Sequence, residues 1–537
     1  MASQHILVTP HSKDAILNSL LENVRDYNAR LPRLYVGLRE CTLNVRMPLL
    51  LNPPGAPLTC REPPAEFEAI HAHFSAQVHA FFNALHNLED MAEKKPSEEL
   101  NLIRPNEGLQ PTIRIVKQSF DIYPNCLHRM FHTRRLTVKD PSSLSLLNRV
   151  TRLRVFPAPN YACEPGMDFV HMRPVSPRVP LELASRLPYL RELDCPWLWE
   201  RLPIAFSSHA LRRFARVWEG PWRDARAEFG RCVRDVMPLL PSSLIKARLW
   251  FWKPNPHGDD TDQSAQMPDL VSAPSPSLLS STSEFENMDP VSLGLRGLGS
   301  RLEELDIRAL ITPDLFRSIT DSTTIHSLLW PRMQHLKVEF HPCAPDGNWY
   351  FSGPRGEDPH ATGFVITREE HYPPGLEDID ETHDLWSCEE DEYTGDDDMC
   401  LARQPDMFRT LPVAERINPL LLAFALSLQR QNMPSLQDAE LFTWLTWRPS
   451  EERAQVYEGS NDAPLSADNE TVLFRWGVRY DAPKGEGTAK VTWQVGEHWR
   501  PEAEIISAFG GLVGEKKMEW KPFEFVEERE QDPAIFI

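Results

Sequence analysis

Residues 240–252, LPSSLIKARLWFW, place Leu244, Ala247 and Leu249 in an apolar-x-x-apolar-x-apolar phrase that follows a proline. The phrase recurs at Val150/Leu153/Val155, Leu190/Leu193/Cys195, Leu302/Leu305/Ile307, Met333/Leu336/Val338 and Leu436/Ala439/Leu441. One such segment cannot bury its own apolar face, so neighbours must stack side by side. Pro188, Pro241, Pro331 and Pro434 stand at the same join, where proline stops a preceding helix and fixes the entry to a strand.

Outward from these rungs, the patterning predicts an α/β fold: an open, curved, leucine-rich-repeat-like solenoid with short parallel strands, outer helices and a C-terminal β-hairpin cap. Outer helices are expected at 180–186, 222–236, 313–319 and 417–430. The clearest helix is expected from Pro64 to about Met91, where Phe67, Ile70, Phe74, Val78, Phe81, Leu85 and Leu88 draw one stripe. Strand-like runs stand at 38–45 and 112–116, and the alternating segments 472–480 and 489–495 flank a turn-forming DAPKGEGT, a hairpin pattern. The domains expected are residues 1–62, the solenoid over 63–470 with insertions at 253–297 and 341–406, and the hairpin cap and charged tail at 471–537. A strand is expected at 363–367 within the second insertion.

The 537 residues carry a formal charge of −20, which argues against general affinity for nucleic acid or anionic membrane. Twelve acidic residues and no Lys or Arg lie between Glu377 and Asp398, which reads as a solvated run or a docking tail for a basic partner. Nine cysteines without a Cys-x-x-Cys pair argue for reduced thiols, and the N-terminal segment has no signal-peptide pattern, so a cytoplasmic or nuclear monomer is expected. No phosphate-binding loop, nucleophile elbow or His-Glu-x-x-His helix is present, and neither catalytic residues nor a cofactor are assigned. His71, His73, His79 and His86 crowd one helix without a chelating i, i+4 pair, and are read as its polar flank rather than as a metal site.

In a solenoid of this kind the positions flanking the buried strand residues line the concave face. They are Arg135, Thr137 and Lys139; Arg152 and Arg154; Lys246, Arg248 and Trp250; Glu304, Asp306 and Arg308; His335, Lys337 and Glu339; Asp438, Glu440 and Phe442. The first half is basic and the second mixed to acidic, with Trp250 and Phe442 as candidate anchors for a protein partner. The plainer reading is that surface strands are charged because they are wet.

The phrases at 183–203, 218–231, 240–252, 341–364 and 418–453 resemble a family of fungal F-box-type proteins with degenerate leucine-rich repeats, over most of residues 64–510. That resemblance implies substrate recognition within an SCF ubiquitin ligase and binding to a Skp1-type adaptor. Residues 1–62 show Leu31-Pro32 followed by the strand-like YVGLRECTLNV rather than an amphipathic helix, so no F-box is read there. The alternatives are a stand-alone binding scaffold and an enzyme with a site in the 341–406 insertion.

Overall fold

The computed structural model describes residues 7–8, 40–45, 47, 62–93, 108–115, 134–157, 173–198, 200, 218–252, 261–271, 288–317, 328–372, 405–460, 472–483, 487–496, 499–513 and 518–522. The Leu31-Pro32 segment and the acidic run 377–398 lie outside them. The chain divides into two compact units, one of Met1–Trp199, Asp235–Leu249 and Gly375–Leu385, the other of Glu200–Arg234, Trp250–Pro374 and Trp386–Ile537. The rungs at 150–155, 190–195 and 244–249 belong to the first unit, and those at 302–307, 333–338 and 436–441 to the second.

In the first unit the strands are β1 (Leu7–Val8), β2 (Glu40–Val45), β3 (Gln110–Ile115), β4 (Arg152–Pro157), β5 (Glu192–Cys195) and β6 (Lys246–Trp250), whose last residue belongs to the second unit. They pair in chain order and every pairing is parallel. Alternation sorts the side chains: Leu43, Val45, Ile113, Ile115, Leu153, Val155, Leu193, Cys195, Ala247 and Leu249 are all buried on one face. Helix α1 (Pro64–Glu93) spans the expected stripe, burying Ile70, Phe74, Val78, Phe81 and Leu85, and lies against β2. Helix α2 (Val179–Ala184) has a proline in its first turn and precedes β5. Its chain then turns tightly, with the Leu190 amide donating to the Leu187 carbonyl at 3.0 Å, and the corresponding turn before β6 has Leu244 donating to Pro241.

The second unit holds α3 (Glu219–Val236, shared at its last two residues with the first), α4 (Pro290–Gly299), β7 (Glu304–Ala309), β8 (His335–Phe340), β9 (Phe351–Ser352), α5 (Arg368–His371), β10 (Leu411–Pro412), α6 (Ala414–Ser427), β11 (Asp438–Trp447), α7 (Glu451–Tyr457), β12 (Val472–Asp481), β13 (Lys490–Gln494), α8 (Ala503–Val513) and β14 (Met518–Lys521). β7, β8 and β11 are parallel neighbours, and β11 then pairs antiparallel with β12 over ten residues. β12 and β13 form the expected hairpin, and β14 extends it in parallel beside β13. The architecture of each unit is mixed α/β, with wholly parallel strand pairing in the first and both parallel and antiparallel pairing in the second.

Both expected insertions contain packed structure. Helix α4 begins inside 253–297 and runs just beyond it: Asp289 caps it by accepting from the Ser292 amide at 2.8 Å, Pro290 sits in its first turn, and Val291, Leu295 and Leu298 are buried. Gly230 of α3 permits close packing here, since a Cβ would stand 2.6 Å from the Pro290 carbonyl. In 341–406, the strand expected at 363–367 is a single bridge between Phe364 and Pro268. Its neighbours nevertheless enter a core of Trp222, Trp252, Met267, Leu270, Leu310, Cys343, Trp349 and Ile366. Gly347, at φ 79°, makes the turn that brings this segment back, in a backbone region that favours glycine.

A buried ion cluster fastens these parts. Arg226 of α3 donates to Glu200 at 2.5 Å, to Asp289 at 2.7 Å and to the Leu310 carbonyl at 3.0 Å, while the Trp222 indole N–H also reaches Glu200. Burial disfavours the Arg226 charge, but Asp289 and Glu200 outweigh it and hold the guanidinium well above its ordinary value. A second cluster joins Arg409 and Arg416 through Asp358, with Gln263 accepting from the Phe408 and Arg409 amides.

Candidate functional site: the polar strand faces

Each unit presents, opposite its buried strand face, a row of charged side chains that the parallel register aligns. In the first unit Arg152, Glu192 and Lys246 form one row, and Arg154, Asp194 and Arg248 form the next. Asp194 is 1% exposed, and three guanidiniums converge on it. Arg152 and Arg154 both stand 3.2 Å from Oδ2, while Arg248 grips Oδ1 at 2.7 Å and Oδ2 at 2.9 Å. Arg152 also lies 3.3 Å from Glu192. On β3 and β4, Arg114 aligns with Phe156, whose ring is covered by the guanidiniums of Arg154 at 4.4 Å and Arg114 at 5.2 Å. Burial, followed by the charges of Arg248, Arg152 and Arg114, lowers the pKa of Arg154 against the pull of Asp194.

The polar face of the second unit is mixed in sign. Glu304, His335 and Asp438 share one row, and Asp306, Lys337, Glu440 and Arg479 the next. His335 Nδ1 lies 2.7 Å from Asp438, Arg475 pairs with Glu440, and Arg308 stands 3.1 Å from Glu339. Trp250 and Phe442, expected as anchors, are each 3% exposed. The Trp250 indole N–H donates to Asp306 at 3.0 Å beneath the Arg308 guanidinium, 4.1 Å from its ring. Phe442 is covered by Arg475 at 4.0 Å, with the Lys337 ammonium at 5.8 Å. Both rings are therefore already engaged within the chain; of the cations over them Arg308 is buried and Lys337 is exposed.

Arg135 and Lys139 are not on a polar strand face. β3 pairs directly with β4, and Leu136 makes only an isolated bridge with Val175. The 134–140 segment instead runs along α1, where His71, Ser75 and His79 repeat at one-turn spacing. His71 Nε2 lies 2.6 Å from the Thr137 carbonyl, the Lys139 amide donates to Ser75 at 3.0 Å, and His79 Nε2 lies 2.9 Å from the Lys139 carbonyl. Lys139 itself pairs with Glu68 at 2.8 Å. This stripe of histidines is thus a set of tethers for an extended chain. Among the described residues no group of three His, Cys, Asp or Glu is arranged to hold a metal ion.

The residues absent from the sequence-derived face are Glu192, Asp194, Arg114 and Phe156 in the first unit and Arg475 and Arg479 in the second. The signal for the first two stands in the rung Leu190/Leu193/Cys195, whose flanking positions are the acidic partners of its two neighbours. Cys41, Cys195, Cys232 and Cys343 are buried, and burial pushes the Cys41 thiol up to about 12. Among the described residues no helix is long and apolar enough to cross a membrane. No family model matches this chain, and neither a curated protein nor a solved structure does.

Proposed function

We propose that this chain is a protein-recognition module of leucine-rich-repeat type whose polar strand faces are its binding surfaces. The observation that supports this most is the asymmetry of the parallel strands. Leu153, Val155, Leu193, Ala247 and Leu249 are at most 1% exposed, while alternate residues Arg152, Glu192 and Lys246 reach solvent. Parallel sheets of doubly wound folds are covered on both faces and read as continuous apolar runs, whereas leucine-rich repeats leave one strand face open for a partner. The prolyl turn before four of the six rungs supports the same reading, since Met333 donates to Trp330 and Leu436 to Met433 as Leu190 does to Leu187.

From the resemblance to F-box-type proteins, the module serves as the substrate-recognition part of an SCF ubiquitin ligase. Two measurements test the two levels separately. Co-expression with a Skp1-type adaptor, read by size-exclusion chromatography, is expected to give a stable complex; a folded chain that elutes alone removes the ligase role and leaves a binding scaffold. Proteins crosslinked to the full chain in its native extract are expected to be lost from Arg152→Glu and Lys337→Glu variants but retained by Glu66→Lys on α1. Retention by both face variants ends the assignment of binding to these faces.

A further inference from the structure

We propose that the polar face of the first unit binds an acidic peptide segment of the partner protein, one with carboxylates at alternate positions. This inference rests on the recognition reading above and specifies its chemistry. On β3 to β6 the face gathers five cations, Arg114, Arg152, Arg154, Lys246 and Arg248, against two carboxylates, Glu192 and Asp194, with Glu40 on β2 a third. Like charges brought this close repel, and the lowered basicity of Arg154 reflects in part its three arginine neighbours. A guanidinium carries five N–H donors, and Arg114 Nε and Arg152 Nε are buried with no hydrogen-bond partner among the described residues.

The arrangement is built before any ligand arrives. Asp194 orients three guanidiniums from below, and Phe156 supports Arg154 and Arg114 by its ring face. Such fixed forks suit carboxylates, which they can engage through two parallel hydrogen bonds. The dimensions set the spacing of the ligand. β4 and β6 are two strand intervals apart, roughly 10 Å, and alternate side chains of an extended peptide are about 7 Å apart. A Glu-x-Glu-x-Glu segment lying across the strands thus reaches both Arg152 and Lys246, the outermost cations of the row. A net charge of −20 on the whole chain opposes the approach of a long polyphosphate, while a short acidic segment meets mainly the local surplus.

The test uses the full chain and a fluorescein-labelled peptide of alternating Glu and Ser, read by anisotropy at low and physiological salt. Saturable binding that weakens as salt rises is expected. It should fall about tenfold or more in Arg152→Glu/Lys246→Glu, both at solvent-reaching positions, and change less than about twofold in Arg317→Glu, an exposed position off both strand faces. Circular dichroism and the urea midpoint confirm that each variant is folded, and Arg152→Gln/Lys246→Gln gives a milder version of the same loss. Absence of binding by the folded chain overturns the inference, as does an equal loss in Arg317→Glu. Tighter binding of a single-stranded RNA of equal charge overturns it in favour of nucleic acid. If the peptide fails to bind while Arg152→Glu still abolishes partner crosslinking, the recognition reading stands and only the acidic-peptide assignment falls.

Discussion

Replacing Asp194 with alanine removes the shared counter-charge of Arg152, Arg154 and Arg248, and the cost follows from how freely each arginine regains water. Arg154 and Arg248 have side chains only 14% exposed, so they keep their charge close together with little solvent to separate them. Arg152, at 36%, swings outward and retains Glu192. Stripping one partner from a fully buried pair costs about 3–5 kcal/mol, and an exposed pair about 0–1. With two deeply held guanidiniums and one that escapes, the loss for Asp194→Ala is about 2–4 kcal/mol. It is also salt-dependent, because the residual term is repulsion among partly hydrated cations and the Debye length shortens from about 10 Å at 0.1 M to about 3 Å at 1 M. Urea unfolding at these two salt concentrations measures the loss, and hydrogen exchange read on β4, β5 and β6 peptides assigns it to the first unit. Asp194→Asn, which keeps the acceptor oxygen, should lose less. A loss under about 0.5 kcal/mol at low salt, or one indifferent to salt, would refute the view that a single carboxylate holds this cationic surface together.

In the second unit, Arg226→Met strands Glu200 and Asp289, and a loss of about 3–5 kcal/mol in urea unfolding is expected. Adding Glu200→Leu should restore part of it, because one of the two stranded carboxylates is then gone. At Asp358 burial opposes ionisation, but Arg416 and Arg409 prevail and hold the carboxyl below its ordinary 3.8. Its folded pKa being depressed, the contribution is present above that ordinary value and lost as the pH falls through the folded one. The stability difference between wild type and Asp358→Asn, followed by acid titration in urea, should therefore be flat above about pH 5 and shrink below about pH 4; a difference that grows towards acid contradicts the pairing.

The rungs are legible in the sequence because two constraints coincide in them. A strand must alternate, and its buried members must be apolar, so Leu153/Val155 and Leu336/Val338 announce both the strand and its hidden face. The α1 stripe is legible for the analogous reason at a period of 3.6 residues. Helix α4 escapes notice because four of the signals that set it are read as loop signals when taken alone: Asp289, Pro290, Gly294 and Gly297. In the folded chain the first two start a helix and Gly294 packs tightly on Phe229 of α3. The packed stretch 341–366 is hidden differently, since its order comes from tryptophans at 222, 252 and 349 that meet only in three dimensions.

The same distinction explains what the sequence could and could not say about the candidate site. Which side chains share a face follows from alternation, but which are available on it depends on neighbours several dozen residues away. Trp250 has the chemistry of a binding anchor, yet Asp306 takes its N–H and Arg308 takes its ring. Arg152 has the chemistry of an ordinary surface charge, yet the neighbouring Asp194 and Glu192 place it in a cationic row of fixed geometry. Hydrophobic periodicity thus locates a polar strand face, whereas the engagement of its charged groups emerges only from their pairing across strands. The salt bridges to Asp194 hold the guanidiniums of Arg152, Arg154 and Arg248 in place, so the acidic segment proposed above would be recognised by this local arrangement rather than through net charge.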